Sequence, residues 1–298
     1  MVGLIRRAGA LLFVLGLALG CALAQGNQGG TLERVLERGT LRVGVNPEFK
    51  PFSFTESGER VGVDIDIAAQ LAQGLGADLE LVTPESFSDL LPMLQGGDID
   101  VAIAGMSITF ERAKEVDFSD PYFDTGLSIL LNKAKAGELG IGTLTSYDEL
   151  TAQLAQDGSA GELIIAATEG RAPAQAVPQF FPEAQIQTYP TNEEAAAATL
   201  AGEAHLMVHD EVFLKVWQRD NRADTEFRTV VFDEPFKPDY YGFAVAKGNQ
   251  EFLNLLDVFV RELRSDGAVL TSLAQYVPVT VQTTTQSYNL SDDFYQGD

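Results

Sequence analysis

Hydrophobic and polar positions alternate along the chain in a way that predicts strands and helices in turn. Apolar, β-branched runs predict strands at 41–45, 79–82 and 101–104, and apolar residues at helical spacing predict helices at 65–75 and 87–94. Asp64 stands where a side chain that caps the first of these helices is expected. The first hundred residues therefore predict a β-α-β-α-β unit.

The same alternation returns in the second half of the chain. Helical patterns at 147–156, 172–180 and 193–201 alternate with strand patterns at 163–167, 186–189 and 206–208. A further strand is predicted at 240–246, and a helix at 252–263 that ends near Gly267. Strands that alternate with helices are typical of largely parallel sheets covered by helices, so the sequence predicts an α/β fold with two such units.

The N-terminus is typical of a secretory signal. Arg6 and Arg7 precede an apolar stretch at 8–19, and the small residues of Ala22-Leu23-Ala24 precede Gln25. Cleavage after Ala24 is expected. Lipidation of Cys21 is the alternative, although Leu19 lies one place too late for the usual lipobox. Either route exports the protein, which is therefore expected to be periplasmic or otherwise extracytoplasmic, and no other stretch is long enough to span a membrane.

Composition narrows the classes of function. Of the 298 residues, 45% are hydrophobic and 21% are charged, which excludes a wholly disordered chain and a polytopic membrane protein. The formal net charge of -23 is the wrong sign for a nucleic-acid-binding protein, and it favours a soluble monomer because copies repel one another. The single cysteine, Cys21, excludes an intramolecular disulfide and a cysteine-built zinc site.

No metal and no other cofactor is expected. His205 and His209 are four residues apart, but the strand predicted between them would separate them by about 13 Å. Glycine-rich loops of the standard phosphate-binding patterns are absent from the sequence.

An ordered set of runs closely resembles the family 3 solute-binding proteins, the polar amino-acid receptors of ABC importers. The runs are LRVGVNPEFKPFSF at 41–54, VGVDIDI at 61–67, FSDLLPMLQGGDID at 87–100, GMSITFER at 105–112 and VDFSDPYF at 116–123. Shorter matches follow in the expected order at 208–210, 241–243, 247–249 and 263–267. The resemblance covers residues 41–276.

The resemblance implies a two-lobed clamp of the periplasmic-binding-protein type, whose chain crosses twice between the lobes. Lobe one would comprise 31–125 and 242–280, lobe two would comprise 129–234, and the crossings would lie at 126–128 and 235–241. Outside the lobes, we expect the signal peptide at 1–24, a linker at 25–30 and a polar acidic tail at 281–298. An amino acid would bind between the lobes, whose hinge closure would bury it.

The resemblance also implies which residues hold the two charges of an amino acid. Arg112 matches the arginine that binds the carboxylate, because a planar guanidinium can donate two parallel hydrogen bonds. Ser107 and the backbone NH groups of Gly105 and Ser107 would donate further hydrogen bonds to that carboxylate. Asp210 matches the aspartate that receives the ammonium; a role as the N-cap of the helix that follows it is equally open.

Around the ligand's side chain the resemblance implies aromatic and polar groups. Phe52 and Phe87 match aromatics that sandwich it, and Thr168 and His209 line the same region. Asn46 stands where receptors for cationic amino acids carry an aspartate. This departure argues against lysine, arginine or ornithine and favours a polar neutral, glutamine-like ligand.

Arg171 is a second departure, because small residues are usual at this turn in the family. If its side chain points inward, it would favour an acidic ligand. If it points outward, it is an ordinary solvated arginine, which is the default for this residue type.

Two other functions share the scaffold. Some proteins on this scaffold are periplasmic cyclohexadienyl dehydratases, and Glu169 or His209 could act as acid or base in the cleft. A detached amino-acid sensor domain is another alternative. The pairing of Arg112 with Asp210 suits the holding of an unchanged zwitterion, so the sequence favours a binding protein, and not an enzyme, that delivers an amino acid to the permease of an ABC importer.

Overall fold

The computed structural model describes residues 30–142 and 144–277. The expected signal peptide, almost all of the expected linker and the acidic tail lie outside these residues. Within them the α/β fold class is confirmed, because strands and helices alternate and form two main sheets. The part of the chain described here contains no helix that is both long enough and apolar enough to cross a membrane.

The strands of the described residues are numbered in chain order. They are β1 (Thr40–Gly44), β2 (Phe54–Glu56), β3 (Glu59–Val61), β4 (Asp78–Val82), β5 (Val101–Ala102), β6 (Val116–Phe118), β7 (Phe123–Asn132), β8 (Ile164–Thr168), β9 (Gln185–Tyr189), β10 (Leu206–Asp210), β11 (Thr229–Val231), β12 (Lys237–Tyr241) and β13 (Ala244–Ala246).

The helices are numbered in the same way, and short 3-10 turns lie at Phe87–Asp89 and Ala160–Glu162. They are α1 (Thr31–Arg38), α2 (Val63–Leu75), α3 (Leu90–Gly96), α4 (Phe110–Ala113), α5 (Lys133–Gly137), α6 (Tyr147–Asp157), α7 (Ala172–Phe180), α8 (Asn192–Ala201), α9 (Glu211–Asp220), α10 (Arg222–Thr225), α11 (Gln250–Ser265) and α12 (Ala268–Tyr276).

Each of the two main sheets is the base of one lobe. The first has the order β4-β1-β5-β13-β6, in which β1 pairs in parallel with β4 and β5 while β13 is antiparallel to its neighbours. The second has the order β11-β7-β10-β8-β9, in which β8 pairs in parallel with β9 and β10. We call them the first and second lobe. The carboxyl ends of parallel strands are the usual place for a ligand in such sheets.

Helices cover the sheets through apolar faces that their sequences encode. Along α11 the buried residues Phe252, Leu256, Val260 and Leu263 recur at intervals of three or four residues. In the second lobe, Thr191 and Glu194 form a capping box that starts α8, which buries alanines against β8.

Two strands run side by side where the chain passes between the lobes. Strand β7 pairs with β12 in an antiparallel ladder from Leu127 opposite Lys237 to Phe123 opposite Tyr241. Beyond this ladder, β7 continues into the second sheet, where it pairs with β10 and β11. The connection between the lobes is therefore a hydrogen-bonded ribbon.

The single strand predicted at 240–246 is wrong. The structure has β12 ending at Tyr241 on the ribbon and β13 starting at Ala244 in the first sheet, with Gly242 and Phe243 between them. A Cβ atom at Gly242 would lie 2.8 Å from Ile108 Cδ1, so a larger residue at this change of sheet would have to displace the Ile108 side chain. The uniform apolar character of the segment concealed the break.

Two helix starts also differ from the predictions. The segment predicted as one helix at 87–94 begins with a 3-10 turn before α3. Asp64 does not cap α2, whose N-cap is Gly62. The Asp64 side chain is fully buried and accepts a hydrogen bond from the Tyr122 hydroxyl, 2.6 Å away. A partner distant in sequence thus replaces the local capping role.

A buried carboxylate fixes the start of the first sheet. Asp100 accepts hydrogen bonds from the backbone NH of Arg42 at 2.9 Å and from the guanidinium groups of Arg42 and Arg38. The Asp100 side chain is 1% exposed, whereas the two arginines are partly exposed. This hydrogen-bonded ion pair raises the pKa of Arg42 above its ordinary value.

We expect Asp100→Asn to destabilise the protein by about 1.5–3 kcal/mol, because hydrogen bonds to a charged acceptor are lost where water cannot replace them. Urea unfolding followed by circular dichroism measures this. The exposed neighbour Asp98, in the variant Asp98→Asn, is the matched control and should change stability by less than about 0.5 kcal/mol. Equal effects of the two variants would contradict a structural role of Asp100.

Candidate functional site

A small cavity lies between the two lobes. Seven of the ten predicted site residues contribute to its wall: Phe87, Gly105, Ser107, Arg112, Arg171, His209 and Asp210. They come from both lobes, so residues more than a hundred positions apart in sequence face one another here.

Arg112 is held at the cavity wall by a short helix. Thr109 caps α4 by accepting the backbone NH of Arg112, and the Arg112 side chain is buried. Its Nη1 donates to the carbonyl oxygen of Ser107 at 3.0 Å, and its Nη2 donates to that of Gly170 in the second lobe at 3.2 Å. Burial lowers the pKa of Arg112 to about 10, which leaves the guanidinium charged at neutral pH.

Asp210 ends β10 and caps α9. Its Oδ1 accepts the backbone NH groups of Val212 at 2.8 Å and Phe213 at 3.0 Å, and its Oδ2 accepts the hydroxyl of Thr125 in a short hydrogen bond. Burial raises the pKa of Asp210 to about 7, and the hydrogen bonds from Thr125 and Phe213 oppose this rise. The N-cap role, open on the sequence, is therefore present.

Phe87 stands between the two arginines of the site. A capping box of Ser86 and Asp89 fixes the 3-10 turn that carries this ring. The guanidinium carbon of Arg112 lies 5.2 Å from the ring centroid, and that of Arg171 lies 3.9 Å from it. Both distances are within the range of cation-π attraction.

Arg171 points inward. Its side chain is 7% exposed, and Nη2 donates to Asn46 Oδ1 at 2.9 Å. The outward placement that is the default for arginine is wrong here. Arg171 is the last residue before α7, where Pro173 favours the start of the helix, and the chain enters α7 from the buried end of β8. That approach directs the side chain toward the first lobe.

Two donors predicted to bind a ligand carboxylate are engaged within the protein. The backbone NH of Gly105 donates to the Tyr122 hydroxyl at 3.2 Å, and the hydroxyl of Ser107 donates to Asp239 Oδ2 at 2.7 Å. Gly105 has a φ of 55°, and a Cβ atom there would lie 2.5 Å from the ring of Phe49. Close packing at this turn therefore requires glycine.

The other three predicted residues lie outside the cavity wall. Phe52 is fully buried behind Phe49, with ring centroids 5.0 Å apart. Asn46 reaches the site only through Arg171, and its Nδ2 donates to the carbonyl oxygen of Ala104. Thr168 is buried, and its Oγ1 has no hydrogen-bond partner among the described residues.

Sequence reasoning missed Phe49, Asp239 and Tyr241, which line the cavity. Phe49 belongs to the same aromatic run as Phe52, and the run alone does not indicate which ring faces the cleft. Asp239 and Tyr241 lie on β12, the second crossing between lobes. An acidic residue within a strand that crosses between lobes was the available signal.

His209 is buried and neutral. Its Nε2 lies 3.0 Å from Asn192 Oδ1, so this nitrogen carries the proton when the amide oxygen faces it. Burial and then the charge of Arg171 hold the pKa of His209 well below its ordinary value. Glu169, the other candidate acid or base, is exposed and does not line the cavity.

His205 and His209 make separate hydrogen bonds. His205 Nδ1 accepts the backbone NH of Ile164 at 2.9 Å. Over residues 30–142 and 144–277, no group of three or more histidine, cysteine, aspartate or glutamate side chains could hold a metal ion.

Contacts across the cleft join the two lobes directly. Arg112 of the first lobe donates to Gly170 of the second, while Arg171 of the second lobe donates to Asn46 of the first. At the edge of the cleft, Lys50 Nζ lies 2.7 Å from Asp220 Oδ2. The structure is therefore a closed arrangement of the lobes.

Comparison with known proteins gives one family. The model of the bacterial extracellular solute-binding proteins, family 3, matches residues 41–279. The chain is 31% identical to the ABC transporter glutamine-binding protein GlnH of Bacillus subtilis (strain 168), over 80% of this chain and 81% of that protein. It is also 31% identical to the cyclohexadienyl dehydratase of Pseudomonas aeruginosa, over 70% of this chain and 72% of the enzyme.

Solved structures share the fold. An ancestral arginine-binding protein bound to arginine superposes with a TM-score of 0.67 at 32% identity, and covers 80% of this chain and 98% of its own. The two-lobed architecture expected from the sequence is confirmed by such neighbours.

A buried acid supports the cavity wall from behind. Asp64 accepts from the Tyr122 hydroxyl, which in turn accepts from the backbone NH of Gly105. Burial raises the pKa of Asp64 to about 7, from 3.8 in an exposed setting, and the hydrogen bond from Tyr122 opposes this rise. Between these two pH values the folded protein binds a proton that the unfolded chain releases.

We therefore expect wild-type stability to fall relative to that of Asp64→Asn as the pH rises from about 4 to about 7, and the difference to level off above pH 7. The isosteric asparagine carries no ionisable group. The difference in the free energy of unfolding between the two proteins, followed as a function of pH, therefore reports the titration of Asp64 and not that of other groups. Urea unfolding of both proteins at unit pH steps measures it. A difference that is constant across this range would contradict the raised pKa.

Proposed function

We infer that this chain, which belongs to the bacterial extracellular solute-binding proteins of family 3, binds an amino acid between its two lobes and delivers it to an ABC importer. The observation that carries the inference is the placement of Arg112 and Asp210 on one cavity wall. Arg112 is a guanidinium of the first lobe, and Asp210 is a carboxyl group of the second lobe.

A zwitterion matches this pair of groups. Its carboxylate needs a cation that is able to donate two hydrogen bonds, and its ammonium needs an acceptor with negative charge. Burial makes an unpaired partner costly, so a ligand that satisfies only one of the two residues would bind poorly. The ligand therefore interacts with both lobes at once.

The geometry gives less support to catalysis. The Pseudomonas aeruginosa relative is an enzyme, but Glu169 of this chain is exposed outside the cavity wall. His209 is neutral and its Nε2 is engaged with Asn192, which disfavours a role as a general acid near neutral pH. Turnover of a cyclohexadienyl substrate such as arogenate by the purified protein would overturn the binding function.

Location and partners follow from the family. Its members are extracytoplasmic, and we propose that residues 1–24 direct export, with cleavage after Ala24 and the Cys21 anchor as the alternative. The partner is the permease of an ABC importer. We propose that the first lobe comprises 31–125 and 242–280 and that the second lobe comprises 129–234. The ribbon of β7 and β12 connects them.

Asn46 and Arg171 bear on which side chain the ligand carries. The expected polar neutral ligand agrees with the glutamine-binding relative but not with the structural neighbour bound to arginine. Asn46, the residue on which that expectation rested, donates nothing to the cavity wall and instead accepts from Arg171. The choice of side chain therefore rests on Arg171.

Arg112 is proposed to bind the carboxylate of the ligand. A thermal-shift screen of the common amino acids should identify at least one stabilising ligand, and Arg112→Lys should weaken binding of that ligand by at least about tenfold because lysine lacks the planar pair of donors. Titration calorimetry measures the affinity. The exposed Arg222, as Arg222→Lys, is the control and should bind like the wild type. Absence of any stabilising amino acid would refute the proposed function.

The second prediction tests closure by the ligand. Saturating ligand should lower the radius of gyration in small-angle scattering, because only the closed state brings Asp210 and Arg112 to one molecule. Asp210→Asn keeps the cap of α9, since asparagine is a good N-cap, but should weaken binding by about tenfold or more. An unchanged radius of gyration at confirmed occupancy would leave a static site instead of a clamp.

A further inference from the structure

Arg171 is a buried cation whose hydrogen-bonding capacity is mostly unused. Its Nη2 donates to Asn46 Oδ1 at 2.9 Å, and its guanidinium carbon lies 3.9 Å from the centroid of Phe87 and 5.5 Å from that of Phe49. Its Nε is buried and has no hydrogen-bond partner among the described residues. A guanidinium presents five N–H donors, so a single neutral acceptor leaves most of them available.

No carboxylate of the described residues lies within ion-pair distance of Arg171 or of Arg112. Burial and then the charge of Arg112 lower the pKa of Arg171 to about 9, while Tyr241 and Glu193 oppose this shift. Two cations therefore share one small cavity. An arginine without a structural counter-ion in such a place is costly unless an anion offsets it.

The acidic groups of the cavity do not remove this excess. Asp239 already accepts from Ser107, and its charge acts on Arg112. Asp210 is the acceptor for an ammonium and is held by Thr125 and the start of α9. The neutral His209 adds no charge. An anionic group is therefore the complement that Arg171 lacks.

We propose that the ligand is an amino acid with an acidic side chain, and that Arg171 binds the side-chain carboxylate. The inference rests on the proposed function and adds the substrate class. The α-carboxylate pairs with Arg112, the ammonium with Asp210 and the second carboxylate with Arg171. This arrangement gives each of the three charges of a dicarboxylic amino acid one partner of opposite sign.

Other side chains fit less well. A cationic side chain would meet the Arg171 guanidinium at close range in a region of low dielectric, where like charges repel strongly. An amide could accept from Arg171 but would not offset its charge. Asn46 contributes by holding the Arg171 fork in place through Oδ1 and by anchoring itself to Ala104.

The experiment compares acids with their isosteric amides. Titration calorimetry with L-glutamate, L-glutamine, L-aspartate, L-asparagine and L-arginine should show that one acid binds the wild type at least about tenfold more tightly than its amide, because charge-assisted hydrogen bonds are the stronger ones. L-Arginine should bind more weakly than that acid. In Arg171→Gln the affinity ratio of acid to amide should fall to about one or below.

Two further variants keep the test decisive. Arg171→Lys retains the charge and should still prefer the acid, which gives a readout even if Arg171→Gln does not fold by circular dichroism. The exposed Arg228, as Arg228→Gln, removes one positive charge from the same lobe and should keep the wild-type ratio. A fall in the ratio equal to that of Arg171→Gln would reduce the effect to overall charge and overturn the proposal.

The outcomes separate the two levels of inference. If an amide or L-arginine binds the wild type as tightly as the acid, the acidic ligand is refuted while the amino-acid receptor stands. A preference for the acid that survives in Arg171→Gln refutes the role of Arg171. If none of the common amino acids binds, the proposed function itself fails, and this inference fails with it.

Discussion

The burial of two guanidinium groups beside one aromatic ring constrains the centre of this protein. Each cation loses water on burial, and the protein offers carbonyl and amide oxygens and the face of Phe87 in exchange. The oxygens come from the opposite lobe: Gly170 receives Arg112, and Asn46 receives Arg171. The same contacts therefore stabilise the two buried charges and hold the lobes closed.

The framework that makes this exchange possible is the ribbon of β7 and β12. Because β7 runs from the crossing into the middle of the second sheet, the position of that sheet is set by backbone hydrogen bonds and not by a slack linker. Tyr241, at the end of β12, touches the rings of Phe49, Phe52 and Phe123, so the aromatic floor of the cavity is built on the ribbon itself. Asp239 on the same strand brings a carboxylate beside Ser107.

Much of this could be predicted from sequence, because periodicity reports local structure and ordered runs report a family. The β-α alternation and the positions of Arg112 and Asp210 followed in this way. The break at Gly242 could not be predicted, since an apolar stretch has the same pattern whether it stays in one sheet or changes sheets. The sequence could not decide whether Arg171 is buried, because arginine lies at the surface by default. The residues that bury it, Asn46 and Phe87, belong to the opposite lobe.

The role of Asp64 could not be predicted for the same reason. The sequence pattern favoured Asp64 as the N-cap of α2, but in the structure its side chain accepts a hydrogen bond from Tyr122. Phe49 and Phe52 lie only three residues apart, and the choice of which ring reaches the cavity depends on packing against Tyr241 that no local pattern contains. Arg112 and Asp210, which the sequence proposed for their charge, both line the cavity. The side chains whose orientation the sequence did not predict, Asp64, Phe49 and Arg171, are oriented by partners that are distant in sequence.

The reciprocal bonds of the two arginines bear on kinetics. When the lobes part, the bond from Arg112 to Gly170 and the bond from Arg171 to Asn46 break in the same motion, because each spans the same cleft in the opposite sense. Opening therefore exposes both buried guanidinium groups to water. Release of a bound molecule by opening of the cleft therefore requires the loss of these two hydrogen bonds between the lobes in addition to the loss of the contacts to the molecule itself.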